Sequence, residues 1–466
     1  MSTAIPNQQH ANYSIIAGNP AGDLPSMVYQ IDLPAALKAC QQAESCLQKN
    51  DLNGCEQFAI DALQHRPACD LAYRILSQLY EKRGMVDDSA VCRQRCLPAW
   101  LQQKYLGHQI HRDDADLSSN AIDRLTVFEF ERLSIPAPVS LVSQPARPFR
   151  RTEIKSNALF IDTLCNATLW HDSSNTLVID CHGAQVADHS VGNIQLLHAV
   201  IQRSEPVALR GRVILLGARG AHNYYHWLLD IIPKLSALQT AGFAICADDT
   251  FIVPHAKPAF ACALLAQFGV MPTQIFETES VSPYLFAEQL VVPRLSNAMG
   301  YRMGSWIPAA LQQSILQQSP VDIQSGLKIY VSRDVKAATG RAIGNQLEVE
   351  SFFSRCGFEI VFPERLSVVQ QADLFARASV VAGPHGAGLS NLVYCAPGTK
   401  VIEFFGEHMA PCYWAISALA GLEYYQHYCI DDHAADRRSL TVNPRAAGFD
   451  ISIRSAEALL QKASII

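Results

Sequence analysis

The N-terminal part of the chain carries apolar and small residues at helical spacing. Between about residues 33 and 105 they recur at steps of three and four positions, which predicts amphipathic helices. The segment also aligns with itself after a shift of 34 residues, so that Leu52 falls on Val86 and Asn50 falls on Gly84. The pattern predicts stacked helix-turn-helix units over residues 33–106, preceded by a loosely ordered leader over residues 1–32.

Short apolar runs alternate with helical stretches through the rest of the chain. Residues 107–150 are rich in proline and are typical of a connector between domains. The β-rich runs that follow occupy residues 176–180, 213–216, 250–253, 328–332, 358–361, 379–382 and 401–404. Together with the intervening helices they predict an α/β protein with two Rossmann-like lobes, over residues 151–315 and 316–466. Such lobes bind ligands beyond the carboxyl ends of their strands, often in a cleft between domains.

Composition and charge exclude several classes of protein. Hydrophobic residues make up 49% and charged residues 17% of the chain, which is the balance of a folded protein rather than a disordered one. The net charge of -6 provides no basic field that would attract nucleic acid. The 14 cysteines show no CxxC spacing, so the sequence predicts no structural zinc site.

The same features favour a location inside the cell. The N-terminus is polar and the chain has no run of 18 apolar residues, so we expect neither a secretory leader nor a transmembrane segment. Reduced thiols in the cytoplasm therefore fit the cysteines better than disulfides do. Peripheral association with the inner face of a membrane remains open.

A glycine-rich turn is the strongest chemical signal in the sequence. The strand predicted at 379–382 leads directly into Gly383-Pro-His-Gly-Ala-Gly388, and a helix-like run follows. Because glycine has no Cβ, the backbone can approach a ligand closely. Its N–H groups can donate hydrogen bonds to phosphate oxygens, and the helix N-terminus adds partial positive charge. The expected phosphate-binding residues are His385, Gly386, Ala387, Gly388 and Asn391. The glycines alone are explained equally well by a tight turn with an incidental histidine.

Polar residues at two other strand ends extend this candidate site. Ser332 and Arg333 end the strand predicted at 328–332, and Arg341 follows in a glycine-containing loop. A guanidinium binds phosphate in a bidentate manner and stays charged, so both arginines are expected to hold a diphosphate without a metal. Glu403 ends an apolar strand, where the hydroxyls of a sugar are its expected partners. A surface ion pair or a cap is the alternative for each residue.

The order of these motifs resembles glycosyltransferase family 61. The similarity runs from Lys328-Ile-Tyr-Val-Ser-Arg333 through the glycine-rich turn to Pro397-Gly-Thr-Lys-Val-Ile-Glu403. An upstream motif, Ala221-His-Asn-Tyr-Tyr-His-Trp-Leu-Leu-Asp230, is similar to a second hallmark of that family. The N-terminal helices lie outside the resemblance, which covers roughly residues 155–460.

This resemblance implies a fold and a reaction. The fold is GT-B-like, with a donor-binding C-terminal lobe and an acceptor-side N-terminal lobe. The donor is a nucleotide-sugar, for which we expect UDP, and transfer to a saccharide or glycoconjugate proceeds with inversion and without a metal or other cofactor. Surface polysaccharide synthesis is the expected context. The N-terminal helices resemble tetratricopeptide repeats, which implies a surface that can bind a protein partner; an ordinary helical subdomain is the alternative.

Inverting transfer requires a base that removes a proton from the acceptor hydroxyl. His222, His226 and Asp230 of the upstream motif are the candidates. On a helix, His226 and Asp230 are four residues apart and share one face, so the carboxylate can orient the imidazole or act as the base itself. We expect His226 or Asp230 rather than His222 to take this role.

Two alternatives and one departure from the family pattern accompany this interpretation. Residues 342–346 are Ala-Ile-Gly-Asn-Gln where a second arginine and an Asn-Glu pair are common, so the preference for a donor sugar can differ. The first alternative is a noncatalytic scaffold, in which the helices bind a partner and the α/β lobes support them. The second is a dehydrogenase, which is weaker because Gly383-x-x-Gly386-x-Gly388 is not GxGxxG and lies late in the chain.

Overall fold

The computed structural model describes a mixed α/β architecture. The residues that it describes are 14–15, 31–106, 122–141, 149–150, 152–202, 204–256, 258–294, 302–316, 326–334, 342–406, 408–429 and 448–466. The α/β class predicted from the sequence is confirmed. The GT-B-like arrangement of two lobes stays a prediction.

Helices and strands alternate along most of the described chain after an all-helical start. The helices are α1 (Leu33–Gln48), α2 (Leu52–His65), α3 (Asp70–Lys82), α4 (Val86–Arg93), α5 (Ala99–Leu106), α6 (Ile194–Ile201), α7 (Tyr224–His226), α8 (Ile232–Thr240), α9 (Ala259–Ala266), α10 (Trp306–Leu316), α11 (Gln346–Arg355), α12 (Val368–Arg377), α13 (Cys412–Leu419) and α14 (Ile453–Lys462). The strands are β1 (Ser14–Ile15), β2 (Ile122–Phe128), β3 (Glu131–Ser134), β4 (Val139–Ser140), β5 (Glu153–Ser156), β6 (Leu159–His171), β7 (Thr176–Ile179), β8 (Val207–Leu215), β9 (Thr250–Val253), β10 (Ile275–Glu277), β11 (Tyr284–Arg294), β12 (Leu327–Val331), β13 (Glu359–Val361), β14 (Ala378–Pro384), β15 (Lys400–Phe405) and β16 (Glu423–Tyr428).

Helices α1 to α5 form the N-terminal part of the described chain. Asp32 and Asp51 cap α1 and α2, since each carboxylate accepts a hydrogen bond from the backbone N–H three residues later. Helices α2 and α4 begin at residues 52 and 86, which are 34 positions apart, as the internal alignment predicts. The similarity of this segment to tetratricopeptide repeats stays a prediction.

A mixed sheet, the first sheet, follows the helices. In the described part of the chain its strand order is β10-β9-β8-β11-β6-β2, with β1 beside β8 and β7 beside β6. Strands β10, β9, β8 and β11 are parallel, whereas β6 is antiparallel to β11 and β2. The chain moves outward from β8 to β9 and β10 and then returns to β11 on the other side of β8. This reversal places a topological switch point, where α/β sheets bind ligands, at the carboxyl end of β8.

The helical segment is packed firmly onto the first sheet. Buried Tyr73 belongs to the same hydrophobic cluster as Trp170 and Leu177 of the sheet. The side chain of buried Asn193 accepts a hydrogen bond from the backbone N–H of Leu97 at 2.8 Å and donates one to the hydroxyl of Tyr73 at 2.6 Å. Because buried polar groups and apolar surface are both matched across this interface, the helices form one body with the sheet.

The second sheet is entirely parallel among the described residues. Its order is β13-β12-β14-β15-β16-β4. When the first five strands of this sheet are numbered by their order along the chain, their order in the sheet is 2-1-3-4-5, as in a doubly wound fold. The switch point of that fold lies between strands 1 and 3 of this numbering. These strands are β12 and β14. The carboxyl ends of both strands carry residues predicted to bind phosphate.

One hydrophobic cluster contains buried residues of both sheets. Leu228 and Phe251 on the side of the first sheet share it with Val381, Phe405 and Trp414 on the side of the second. The stretch predicted as a connector contributes to both units, since β2 joins the first sheet and β4 joins the second. Within the residues described, none of the helices combines the length and the apolar composition needed to span a bilayer.

Candidate functional site

The turn after β8 positions the upstream motif at the switch point of the first sheet. The backbone N–H groups of Leu216 and Gly217 donate to the carbonyl of Ile252, which ties the turn to β9. Gly220 has a φ of +79°, a conformation that side chains disfavour, and a Cβ there would lie 2.6 Å from the His226 ring. Asn223 then begins α7, because its side chain accepts a hydrogen bond from the N–H of Tyr225. Glycine at 220 therefore leaves the space that the imidazole fills.

His226 and Asp230 form a hydrogen-bonded pair, as their spacing predicts. Nδ1 of His226 lies 2.6 Å from Oδ2 of Asp230. The side chain of His226 is 34% exposed and that of Asp230 is 12% exposed, so the imidazole lies between the carboxylate and solvent. The turn that carries Asp230, Trp227–Ile231, is a π-helix. Pro233 accounts for this widened turn, since its ring lacks an N–H and clashes with a carbonyl four residues earlier.

Lys234 lies behind this pair, one further helical turn along. Its amine is buried and donates to the carbonyls of Leu216 and Gly217 at 2.9 and 2.8 Å. Desolvation lowers the pKa of Lys234 to about 8, against the opposing effect of the Asp230 carboxylate. Oδ1 of Asp230 is buried and has no hydrogen-bond partner among the described residues. Lys234 was not among the predicted site residues, although its spacing of four residues from Asp230 was a visible signal.

His171 at the end of β6 packs against the same turn. Its Nδ1 lies 2.9 Å from the hydroxyl of Thr176, and a Cβ on Gly217 would overlap its Nε2. Burial lowers the pKa of His171 to about 3, and the charge of Lys234 acts in the same direction. His171 is therefore a neutral, structural histidine near neutral pH.

His222 does not belong to the hydrogen-bonded pair. It lines a cavity between the helical segment and the first sheet, together with Arg66 and His255. Partial desolvation lowers the pKa of His222, with further contributions from the charges of Arg95 and His226. The structure thus brings His226 and Asp230 together and places His222 in the lining of the cavity.

The glycine-rich turn lies at the switch point of the second sheet, next to Arg333. The guanidinium of Arg333 donates to the carbonyl of His385. A Cβ on Gly386 would lie 2.8 Å from that guanidinium, and one on Gly383 would lie 2.9 Å from the carbonyl oxygen of Val331. The glycines thus allow β14 to approach β12 and allow Arg333 to lie against the turn.

Gly386, Ala387 and Gly388 are the half-buried part of this turn. They open a 3-10 helix, Ala387–Tyr394, where the sequence predicts a helix-like run. Gly388 also packs against the side chains of Val331 and Pro363, so its lack of a Cβ serves packing within the protein. Arg341 lies outside the described residues.

His385 is held by Glu403. Its Nδ1 lies 2.5 Å from Oε1 of Glu403, and the other carboxylate oxygen accepts a hydrogen bond from the hydroxyl of Tyr424. Glu403 is fully buried, and the His385 ring stacks on Phe405. In this structure Glu403 therefore orients His385, and its contact with a sugar hydroxyl stays a prediction.

Ser332 is buried among polar side chains of α11. Its hydroxyl donates to Glu350 at 2.5 Å and accepts from the amide of Gln346 at 3.1 Å. The same amide donates to the backbone carbonyl of Arg333 at 2.8 Å. Gln346 thus fixes the chain segment that carries Arg333.

Asn391 joins the two motifs. Its amide donates to Gln371 at 2.8 Å and to the carbonyl of Gly388 at 3.1 Å. Its oxygen accepts a hydrogen bond of 2.8 Å from the hydroxyl of Tyr224, two residues before His226. Tyr224 was not among the predicted site residues. The bond joins the segment that follows β8 to the segment that follows β14.

The described residues contain no group of three or more His, Cys, Asp and Glu side chains placed to hold a metal ion. Transfer without a metal ion stays a prediction. The chemical groups at the joined ends are a paired imidazole, a guanidinium and a set of backbone N–H groups. Such groups can accept a proton and bind an anion.

A comparison with known protein families gave a match. The chain has no match among curated proteins. A family model described as Glycosyltransferase 61 matches residues 224–402. The matched segment contains the His226–Asp230 pair, Arg333, the glycine-rich turn and Asn391, whereas His222, Glu403 and the N-terminal helices lie outside it. Residues 224–402 are thus similar to the Glycosyltransferase 61 family, and this similarity supports a glycosyltransferase.

Proposed function

We propose that the protein is an inverting glycosyltransferase that moves a sugar from a nucleotide-sugar, UDP-linked, to a hydroxyl of a saccharide or glycoconjugate. The observation that carries the proposal is the hydrogen bond between Tyr224 and Asn391. It joins the segment with a candidate base to the segment with a candidate phosphate site, and the family match spans both. A transferase needs these two functions on opposite sides of the reacting carbon.

His226 is the proposed base and Asp230 its positioning residue. The imidazole is the more exposed of the two groups, so it is the one that an acceptor hydroxyl can reach. The carboxylate behind it accepts the Nδ1 hydrogen, which leaves Nε2 to take up a proton. Lys234 holds the carbonyls of the preceding turn and so fixes the strand end from which this motif begins.

Arg333 and the glycine-rich turn are the proposed site for the diphosphate. The guanidinium lies against Gly386, and the 3-10 helix Ala387–Tyr394 begins at the same place. Backbone N–H groups and a guanidinium both stabilise negative charge on a leaving phosphate. His385, held by Glu403, forms the inner wall of this site.

The transfer then proceeds by one displacement. The acceptor oxygen forms a bond with the anomeric carbon while its proton passes to His226. The bond from the anomeric carbon to the phosphate oxygen breaks, and its electron pair stays on the departing nucleoside diphosphate. Arg333 and the turn stabilise that charge, so no metal is required in this proposal. Synthesis of surface polysaccharide on the cytoplasmic side is the proposed context.

A donor screen tests the proposal. The full chain is titrated with UDP and other nucleoside diphosphates by calorimetry and is then incubated with nucleotide-sugars to follow slow hydrolysis. We expect one nucleotide to bind and its sugar to be released, and proton NMR of an acceptor product to show the inverted anomeric configuration. If no nucleotide binds and no nucleotide-sugar reacts, while residues 33–105 capture a partner protein, the scaffold alternative replaces this proposal.

A further inference from the structure

A cavity of about 560 Å3 lies where the helical segment meets the first sheet. Ligand sites commonly occupy 300 to about 1,000 Å3, so this volume suits a small saccharide. Among the described residues, Ile31, Leu33 and Arg66 line it from the helical side. His222, His255, Pro258 and Glu279 line it from loops of the first sheet. Both parts of the protein therefore contribute walls to the cavity.

Two side chains of the lining have a buried nitrogen without a hydrogen-bond partner among the described residues. Nε of Arg66 and Nδ1 of His255 are buried and have no hydrogen-bond partner among the described residues. Glu279 is the acidic residue of the described lining, and its Oε1 already accepts a hydrogen bond from the backbone N–H of Ser173. Buried donors are normally paired, and a guanidinium pairs best with a carboxylate or a phosphate. The chemistry of the cavity therefore matches an anion.

The cavity also lies on the side of the candidate base. His222 comes four residues before His226 in the same turn after β8. The N–H of Gly220 donates to the carbonyl of Ser173 at 3.1 Å, which ties that turn to the loop bonded to Glu279. The proposed diphosphate site belongs to the second sheet. The turn after β8 thus contributes His222 to the cavity and, four residues later, carries the candidate base.

We propose that this cavity is an acceptor subsite for a negatively charged saccharide, and that Arg66 of the helical segment binds the charge. The charge is a carboxylate, as in a uronic acid, or a phosphate ester. This inference rests on the proposed function and extends it, because it assigns the N-terminal helices a part in substrate binding. Hydroxyls of the sugar then contact His222 and His255, and Ile31, Leu33 and Pro258 pack against its apolar face.

Equilibrium binding tests the subsite without turnover. The probes share one sugar: glucuronic acid carries a carboxylate, glucose 6-phosphate carries a phosphate, and glucose is neutral. We expect the full chain to bind at least one charged probe about tenfold or more tightly than glucose, since a charge-assisted hydrogen bond contributes this much. The preferred probe distinguishes the carboxylate from the phosphate.

Arg66→Gln is the test variant and Arg74→Gln its matched control, because Arg74 is an exposed arginine of the same helical segment. R66Q is expected to lose the preference for the charged probe, and R74Q to keep it. Should R66Q fail to fold, His255→Gln removes the imidazole that lines the cavity from the sheet side and is expected to weaken the same preference. Binding of both charged probes no tighter than glucose, or an unchanged preference in folded R66Q, would overturn the inference.

Donor hydrolysis by the wild-type chain separates the two proposals. If a nucleotide-sugar is hydrolysed but the charged probes do not bind, the glycosyltransferase proposal stands and the subsite is wrong. If the charged probes bind through Arg66 but no nucleotide-sugar reacts, the cavity is an anion site of a protein with another function.

Discussion

The paired His226 and Asp230 allow the base and its positioning residue to be told apart. Asp230→Asn keeps the side-chain shape but removes the charge of an acceptor 2.6 Å from Nδ1 of His226. The lost charge-assisted hydrogen bond is worth about 1.5–3 kcal/mol, so kcat is expected to fall about 10- to 150-fold. His226→Asn keeps an N–H for Asp230 but removes the proton acceptor, which costs about 10²- to 10⁴-fold.

The assay combines turnover with donor affinity. For each folded variant, kcat is measured with donor and acceptor, and the donor Kd is measured by calorimetry. Donor Kd is expected to stay within about threefold of the wild-type value, since proton removal matters only during transfer. Asp61→Asn is the matched control, because Asp61 and His65 form the same i,i+4 pair on α2, at 3.9 Å and with both side chains exposed.

Three results would refute parts of this reasoning. A larger loss of kcat in D230N than in H226N would make the carboxylate the base. Full turnover in both folded variants would place the base outside the pair. Loss of donor binding in either variant would assign the pair to the donor site.

The remaining predictions concern the diphosphate site, metal dependence and acid stability. Arg333→Ala and Arg341→Ala are each expected to weaken nucleoside diphosphate binding about 10- to 150-fold. Arg355→Ala, at an exposed arginine, is the control and should leave binding unchanged. If calorimetry gives the same affinity for these variants and the wild-type chain, the phosphate site lies elsewhere. Turnover should survive EDTA, because guanidinium and backbone N–H groups take the leaving-group charge; a loss restored by manganese or magnesium would contradict this. His171 has a folded pKa of about 3 against 6.5 when unfolded, so between these values the unfolded chain binds more protons and stability falls as the pH is lowered. In urea unfolding, the free energy of unfolding should decrease by about 2 kcal/mol from pH 6.5 to 4.5. His171→Asn should remove this decrease, and His182→Asn, at an exposed histidine, should retain it. The same decrease in all three proteins would show that His171 is charged when folded.

Much of the secondary structure follows from local sequence. Strand β9 has the predicted bounds, residues 250–253, because a short apolar run with a buried pattern determines it locally. Ser367 and Gln370 form a capping box at the start of helix α12, which is a signal of local sequence. The antiparallel pairing of β6 with β11 was not predicted. It depends on contacts between distant segments, and buried Asp162 in β6, bonded to Arg124 and His189, interrupts the apolar pattern.

The sequence predicts which residues gather at the strand ends better than it predicts the contacts that these residues make. Strand ends predict which residues gather at an edge of a sheet, and the His226–Asp230 pair follows from helical spacing. Sequence does not determine which partner a polar side chain finds. Asn391 and Glu403 were predicted to contact the ligand, yet in the structure both are buried and bonded to protein groups. The cavity beside Arg66 was not predicted, since it forms only where the helical segment packs on the sheet.

The hydrophobic cluster shared by the two sheets has a consequence for dividing the chain. The outer face of each sheet has a cluster of its own, but the inner faces share one. A cut near residue 316 would leave Leu228 and Phe251 on one fragment and Val381 and Phe405 on the other exposed to water. The fragments would aggregate when made singly and would be recovered only by coexpression. The C-terminal half of another protein therefore cannot be grafted onto this chain, unless the inner faces are redesigned together with it.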